Sequence, residues 1–153
     1  VTRWFRAPEL AIGDSRYDQG IDVWSVGCTF AELIAKRPLF PSKSDLEHFP
    51  HILGNFNQMT IYQLMRSGQT LTNILKNVFH RLYRRGRIRS PMAPLKISLI
   101  VDTNSLEILA DDETIEIIEY MLKICPRKRP SCQQVLKHEF FKDLDPNFKL
   151  DMN

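Results

Sequence analysis

Residues 23–35, VWSVGCTFAELIA, are apolar on nearly every face of a helix, and Glu32 is their only charge. A helix of this kind has no solvent side to offer, so it is expected to run through the middle of a core. At roughly 15 residues it is too short for the ~20 that cross a bilayer. The chain has 153 residues, 43% of them hydrophobic and 25% charged, which is enough apolar material to wrap such a helix in one domain. The flanks limit its length. Asp22 stands where an N-cap would, Gly20 precedes it as a turn residue, and Pro38 and Pro41 stop the helix at the far end. Trp24 and Leu33 read as core.

Two more helices are marked. Residues 112–124 place Ile115, Ile118 and Leu122, and Ile117, Met121 and Ile124, at three- and four-residue spacings. Asp111, Asp112 and Glu113 lie at the start of this helix and Lys123, Arg127 and Lys128 near its end, which suits the helix dipole. A helix start explains the three acids more simply than an acidic site does. Ser131 and Gln134 have capping-box spacing before Val135 and Leu136, so a third helix starts there and ends near His138. Between 44 and 109 the pattern weakens. LEHFPHIL reads as a short helix interrupted or started by Pro50, TIYQLM and LTNILKNVFHRLY have helical spacing, and RSPMAPLK is a loop. KISLIV is a short strand or a buried extended segment. The expected class is mainly α, and no internal repeat is visible.

Charge is unevenly spread. From His48 to Val101 there is no Asp or Glu, while Arg66, Lys76, Arg81, Arg84, Arg85, Arg87, Arg89 and Lys96 supply eight positive charges. The other 13 basic residues meet all 18 acidic ones, so a basic segment is embedded in an acidic body. HRLYRRGRIR could bind RNA, an acidic protein or membrane phosphates. A solvated insert with its aromatics packed on the core is the commoner form of such a run. Cys28, Cys125 and Cys132 lack metal-ligand spacing, and buried free thiols are expected for the two in apolar surroundings. His48 and His51 share a helix face without a third ligand, so they read as surface histidines, and no metal site is expected. With no membrane span and no leader, the chain is expected to be soluble and intracellular, in cytoplasm or nucleus, with no membrane partner. It begins with Val1, which suits a fragment, a processed product or an incomplete gene model.

The order VTRWFRAPEL, then YDQGIDVWSVGCTFAELIAKRPLFP, then CPRKRPSCQQVLKHEFF resembles the eukaryotic protein kinases. The likeness is closest to the group of cyclin-dependent, mitogen-activated and splicing-related kinases. It covers residues 1–50 and 109–142. The resemblance implies the C-terminal part of a kinase large lobe, with no N-lobe. Residues 1–142 would be a partial kinase domain and 143–153 a tail. Residues 1–10 would end the activation segment, 22–36 would be the F helix, 44–54 a shortened G helix, 55–108 a long basic insert, and 112–138 the H and I helices.

The same resemblance assigns roles. Phosphoryl transfer is mostly positioning and charge neutralisation. Thr2 would hydrogen-bond the catalytic Asp and Lys of the intact enzyme. Arg6 would hold the backbone at Val1 in a conformation that leaves a pocket for the proline after the phosphorylated Ser or Thr, so Val1, Thr2 and Arg6 form the substrate-binding set. Arg3 is either a ligand for an upstream phosphorylated side chain or a solvated charge. Glu9 and Arg129 would form a buried ion pair. Asp22 would also accept hydrogen bonds from the catalytic-loop backbone, and Trp24 would be structural. Phe5 stands where the family more often has Tyr, Thr29 where it usually has a core residue, and Cys125 where Asp is common.

The parts that do the chemistry are not in the sequence. It contains no GxGxxG, no VAIK-like lysine, no HRD and no DFG, and HRL at His80 lacks the Asp. No catalytic residue, nucleotide or metal is therefore expected in this chain, whereas the parent would use ATP and magnesium. The expected parent is a proline-directed serine/threonine kinase acting on Ser/Thr-Pro proteins, with a regulatory subunit as a candidate partner. The alternative is a truncated non-catalytic kinase-like module that binds a protein partner or nucleic acid through the basic insert, with residues 76–89 as the candidate site for an acidic partner or RNA. Ser90-Pro91 also fits a proline-directed phosphorylation site, a pattern of low specificity.

Overall fold

A computed structural model describes residues 3–15, 17–54 and 111–143. Among them the structure is helical, with no strand. A 3-10 turn at Arg3–Phe5 leads into α1 (Pro8–Ala11), followed by α2 (Gly20–Ala35), α3 (Asp45–Gly54), α4 (Asp112–Met121) and α5 (Cys132–Val135). A 3-10 turn at Pro126–Lys128 joins α4 to α5, and another at Glu139–Phe141 follows α5.

The core is built around α2. Val23, Trp24, Gly27, Cys28 and Ala31 are buried along one side of it. Trp24 stacks on Phe40, with ring centroids 5.7 Å apart. Ile52 and Leu53 from α3 and Ile117, Ile118, Met121 and Leu122 from the α4 region complete the interior. The α2–α4 contact depends on Gly27. A Cβ at that position would lie 2.9 Å from Leu122 Cδ2 and 3.0 Å from Met121 Cβ, so the glycine lets α4 approach the α2 backbone. Burial pushes the Cys28 thiol up, and Cys28, Cys125 and the exposed Cys132 are all free.

Several local readings change. The helix α2 starts at Gly20, because the Asp18 carboxylate accepts the Gly20 N–H at 2.8 Å and Gln19 takes the cap position. Asp22 therefore lies inside the first turn, exposed, and is not the N-cap. Lys36 ends the helix in a left-handed conformation, φ 53°. Leu33 is 71% exposed rather than core, and Thr29 is exposed with its hydroxyl bonded to Ser25 O at 3.0 Å. With Asp22 and Val26 these residues form an exposed stripe at helical spacing. A run apolar on all sides does not say which side the core takes.

The helix α3 continues through Pro50, which removes one helical hydrogen bond, and the burial of Phe49, Ile52 and Leu53 holds the helix across it. Asp111 caps α4 by accepting the Thr114 N–H at 2.8 Å, and α4 ends at Met121, short of Ile124. The α5 capping box forms, with Ser131 N–H on Gln134 Oε1 at 2.8 Å and Gln134 N–H on Ser131 Oγ at 3.3 Å. The readings of 55–108 as a basic insert, of KISLIV and of the 76–89 run lie outside the described residues.

Candidate functional site

The segment 3–9 carries the site, and it is fixed at both ends. At its C-terminal end Pro8 opens α1 with a preset φ, which places Glu9 in the first turn pointing inward. Arg129 reaches the same point from the turn after α4. Its Nη1 donates to Glu9 Oε1 at 2.7 Å and its Nη2 to Glu9 Oε2 at 3.0 Å, a bidentate pair across 120 positions. Nη1 also donates to Gly20 O at 2.7 Å and Nε to Lys123 O at 3.1 Å. The guanidinium carbon sits 5.2 Å from the Trp24 ring centroid, a cation–π distance. The two side chains are 0% and 3% exposed. One side chain thus joins α1, the start of α2, the α2 tryptophan and the end of α4.

At the other end, side chains satisfy the backbone, since no ladder is available to it. The Ser25 hydroxyl lies 2.9 Å from Phe5 O. Trp4 Nε1–H donates to Ser42 O at 2.8 Å. His48 is 1% exposed, not a surface residue, with Nε2 3.1 Å from Arg6 O and Nδ1 3.1 Å from Ser42 Oγ. A carbonyl can only accept, so Nε2 carries the ring proton and Nδ1 accepts from the Ser42 hydroxyl. The two arginines point outward. Arg3 Nε lies 3.1 Å and Arg6 Nη1 3.4 Å from the same oxygen of Asp45, and Arg3 Nη1 donates to Lys43 O at 2.8 Å. Both arginine side chains are 39% exposed and Asp45 65%.

This arrangement of an Arg-Ala-Pro-Glu segment locked to a distant arginine is accompanied by a match to the family model for the protein kinase domain over residues 1–141. The chain belongs to the protein kinase domain family. It is 35% identical over 145 residues to cyclin-dependent kinase-like 2 of Homo sapiens, which covers 92% of this chain and 25% of that protein. The Mus musculus cyclin-dependent kinase-like 2 is 30% identical over 142 residues, 92% of this chain and 22% of that protein. The chain therefore spans about a quarter of the length of these kinase relatives.

Within this kinase chain the structure brings Glu9, Arg129 and Trp24 into one buried group, and Arg3 and Arg6 into one exposed group. Asp22 belongs to neither. Val1 and Thr2 lie outside the described residues. Sequence reasoning missed His48, Ser42 and Asp45. The signal for Asp45 was an acid in the first turn of a helix after Ser44; His48 and Ser42 gave none, because Ser42 partners His48 and His48 in turn partners a backbone carbonyl 42 positions away. Among the described residues no group of three or more His, Cys, Asp or Glu could hold a metal ion. No helix of the described residues is long and apolar enough to cross a membrane.

Proposed function

We propose that this chain is the C-terminal, substrate-facing part of the large lobe of a proline-directed serine/threonine protein kinase. On this reading α2 is the F helix, α3 the shortened G helix, α4 and α5 the H and I helices, and residues 55–108 the insert. The observation that carries it is the buried bidentate Glu9–Arg129 pair, which ties the Arg-Ala-Pro-Glu segment to the distant turn after α4; on this reading residues 1–6 face the peptide. Val1, Thr2 and Arg6 bind the substrate, and Arg3 with Arg6 takes an upstream phosphorylated side chain in place of Asp45. The exposed stripe of Asp22, Val26, Thr29 and Leu33 supports the same reading: it offers α2 a second partner, where the catalytic loop would meet Asp22. ATP and magnesium belong to the parent. Among the described residues no group of three or more His, Cys, Asp or Glu could hold a metal ion, and no phosphoryl-transfer step is routed through them. The test is a peptide assay of the intact parent kinase on matched Ser-Pro and Ser-Ala substrates. A strong preference for Ser-Pro is expected; equal rates would overturn the roles of Arg6 and Val1.

A second reading is favoured by the eight positive charges, uninterrupted by any acid, between residues 48 and 101. Here residues 76–89 bind an acidic partner or RNA. Binding should then fall steeply with salt and disappear when Arg84, Arg85, Arg87 and Arg89 are changed to Ala. Affinity indifferent to salt would remove this reading.

A further inference from the structure

The buried imidazole of His48 has no part in the family roles assigned above, yet it touches the segment on which those roles depend. We propose that His48, together with Ser42, is a positioning residue that holds the Arg6 carbonyl and thereby sets the backbone of the peptide-facing segment.

The geometry forms a relay between two stretches of chain some 40 positions apart. Trp4 Nε1–H donates to the Ser42 carbonyl at 2.8 Å. The Ser42 hydroxyl donates to His48 Nδ1 at 3.1 Å, and His48 Nε2–H donates to the Arg6 carbonyl at 3.1 Å. Residues 4 and 6 are therefore held by one cluster, while Glu9 is held by Arg129. Between these anchors lies Ala7, fully buried, and Pro8, whose ring fixes φ. With Glu9 and Pro8 fixed, the path of the backbone at residue 6 is set by the His48 end. Loss of the imidazole would leave the part-buried Arg6 carbonyl without its donor and the buried Ser42 hydroxyl without its acceptor.

A second feature supports a positioning role specific to this residue type. Burial, opposed by the hydrogen bond to the Arg6 carbonyl, holds the His48 ring below the ordinary histidine range. Of the charged groups around it, Arg6 from the segment before α1 and His51 from α3 oppose a positive charge, and Asp45 at the start of α3 favours one. Near neutral pH the ring is uncharged and donates only through Nε2. A protonated ring would present a second donor to Ser42, whose hydroxyl would have to turn its proton away. The anchoring follows from geometry alone. Its consequence for peptide binding rests on the proposed function.

The test uses the intact protein carrying this chain, labelled with 15N-tryptophan, with the Trp4 indole signal assigned through Trp4→Phe. In His48→Leu the Trp4 indole N–H is expected to lose about tenfold or more of its solvent-exchange protection, and in Ser42→Ala its resonance shifts. In His48→Gln, whose amide can donate to Arg6 O and whose oxygen can accept from Ser42, protection returns to within about twofold of the native value. If His48→Leu still folds, it should also raise KM for the peptide several-fold with kcat unchanged, and His48→Gln should restore it. Native Trp4 protection in His48→Leu, or an unshifted Trp4 signal in Ser42→Ala, would overturn the anchoring. A failed Ser-Pro preference with the Trp4 changes intact would instead overturn the proposed function and leave the anchoring standing.

Discussion

Two arginine–carboxylate assemblies sit at opposite ends of the segment 3–9, and they use the same chemistry under different conditions. In the first, Arg129 gives both arms of its fork to both oxygens of Glu9 and two further N–H groups to the carbonyls of Gly20 and Lys123, its side chain out of reach of water. In the second, Arg3 and Arg6 share one oxygen of Asp45 at 3.1 and 3.4 Å, with all three side chains more than a third exposed. Burial makes the first pair a structural joint, since neither charge can be left alone there. Exposure makes the second exchangeable, since water and salt compete for every partner. On the proposed function, a segment that is rigid at its base and open to ligands at its tip uses both kinds.

The largest test of this contrast removes Arg129. Arg129→Met should lower stability by about 3–5 kcal/mol, because Glu9 is left as a buried charge without compensation. Arg129→Lys should recover little, because an ammonium cannot reproduce the fork that meets both oxygens of Glu9. Adding Glu9→Gln to Arg129→Met should cost less than the two single changes together, because the orphaned charge is gone. Urea denaturation of the native protein and the four variants reads these differences. A loss under about 1 kcal/mol for Arg129→Met would put the buried pair on the level of an exposed one.

The buried side can also be disturbed without touching a charge. Gly27→Ala would drive a methyl to 2.9 Å from Leu122 Cδ2 and 3.0 Å from Met121 Cβ. Overpacking of this kind costs about 1–3 kcal/mol, against at most ~1 kcal/mol returned by the better helix propensity of alanine. A net loss in the thermal midpoint is expected. A gain would mean that α4 yields easily, and the Arg129 anchor at its end would then matter less for rigidity than the distances imply.

How much of this could be read beforehand depended on the range of the interaction. The Ser131–Gln134 box is complete within four residues, and its pattern was visible. The α4 start was equally local. The α2 cap was not recovered, because Asp18 and Asp22 both stand near Gly20 and only the backbone path decides which of them takes an orphan N–H. Glu9 and Arg129 were paired through family resemblance; nothing in their spacing could have done so. Leu33 and His48 were assigned to the wrong environments for one reason. The facing of a helix is fixed by its partners, and the partner of His48 is the carbonyl of Arg6, which no side-chain pattern encodes.

Between the two assemblies lies His48, which gives the comparison a pH axis. Its ring is held below the ordinary histidine value, mainly by burial, so the unfolded chain binds its proton more readily than the folded one. Its contribution to stability is therefore complete above the unfolded value, about 6.5, and is lost as pH falls from there through the folded value. His48→Gln should flatten this acid limb in a series of urea midpoints, while Asp45→Asn should leave most of it. An acid limb identical in His48→Gln and the native protein would show that the ring stays uncharged or is solvated.

The smallest effect is expected at the exposed tip, where it is the most informative about ligands. Asp45→Asn should change stability by less than about 1 kcal/mol, because its bonds to Arg3 and Arg6 are solvent-exposed and compete with water. The change should shrink further in about 1 M salt, where the screening length is near 3 Å. Replacing this carboxylate by a neutral amide also leaves two guanidiniums converging on a position without a negative charge. A phosphotyrosine- or phosphothreonine-bearing peptide should then bind the variant more tightly than the native protein, as the competing internal anion is gone. If Asp45→Asn binds such peptides no better, Asp45 is not what occupies the phosphate position, and the tip would be a surface ion pair without the exchangeability the comparison assigns to it.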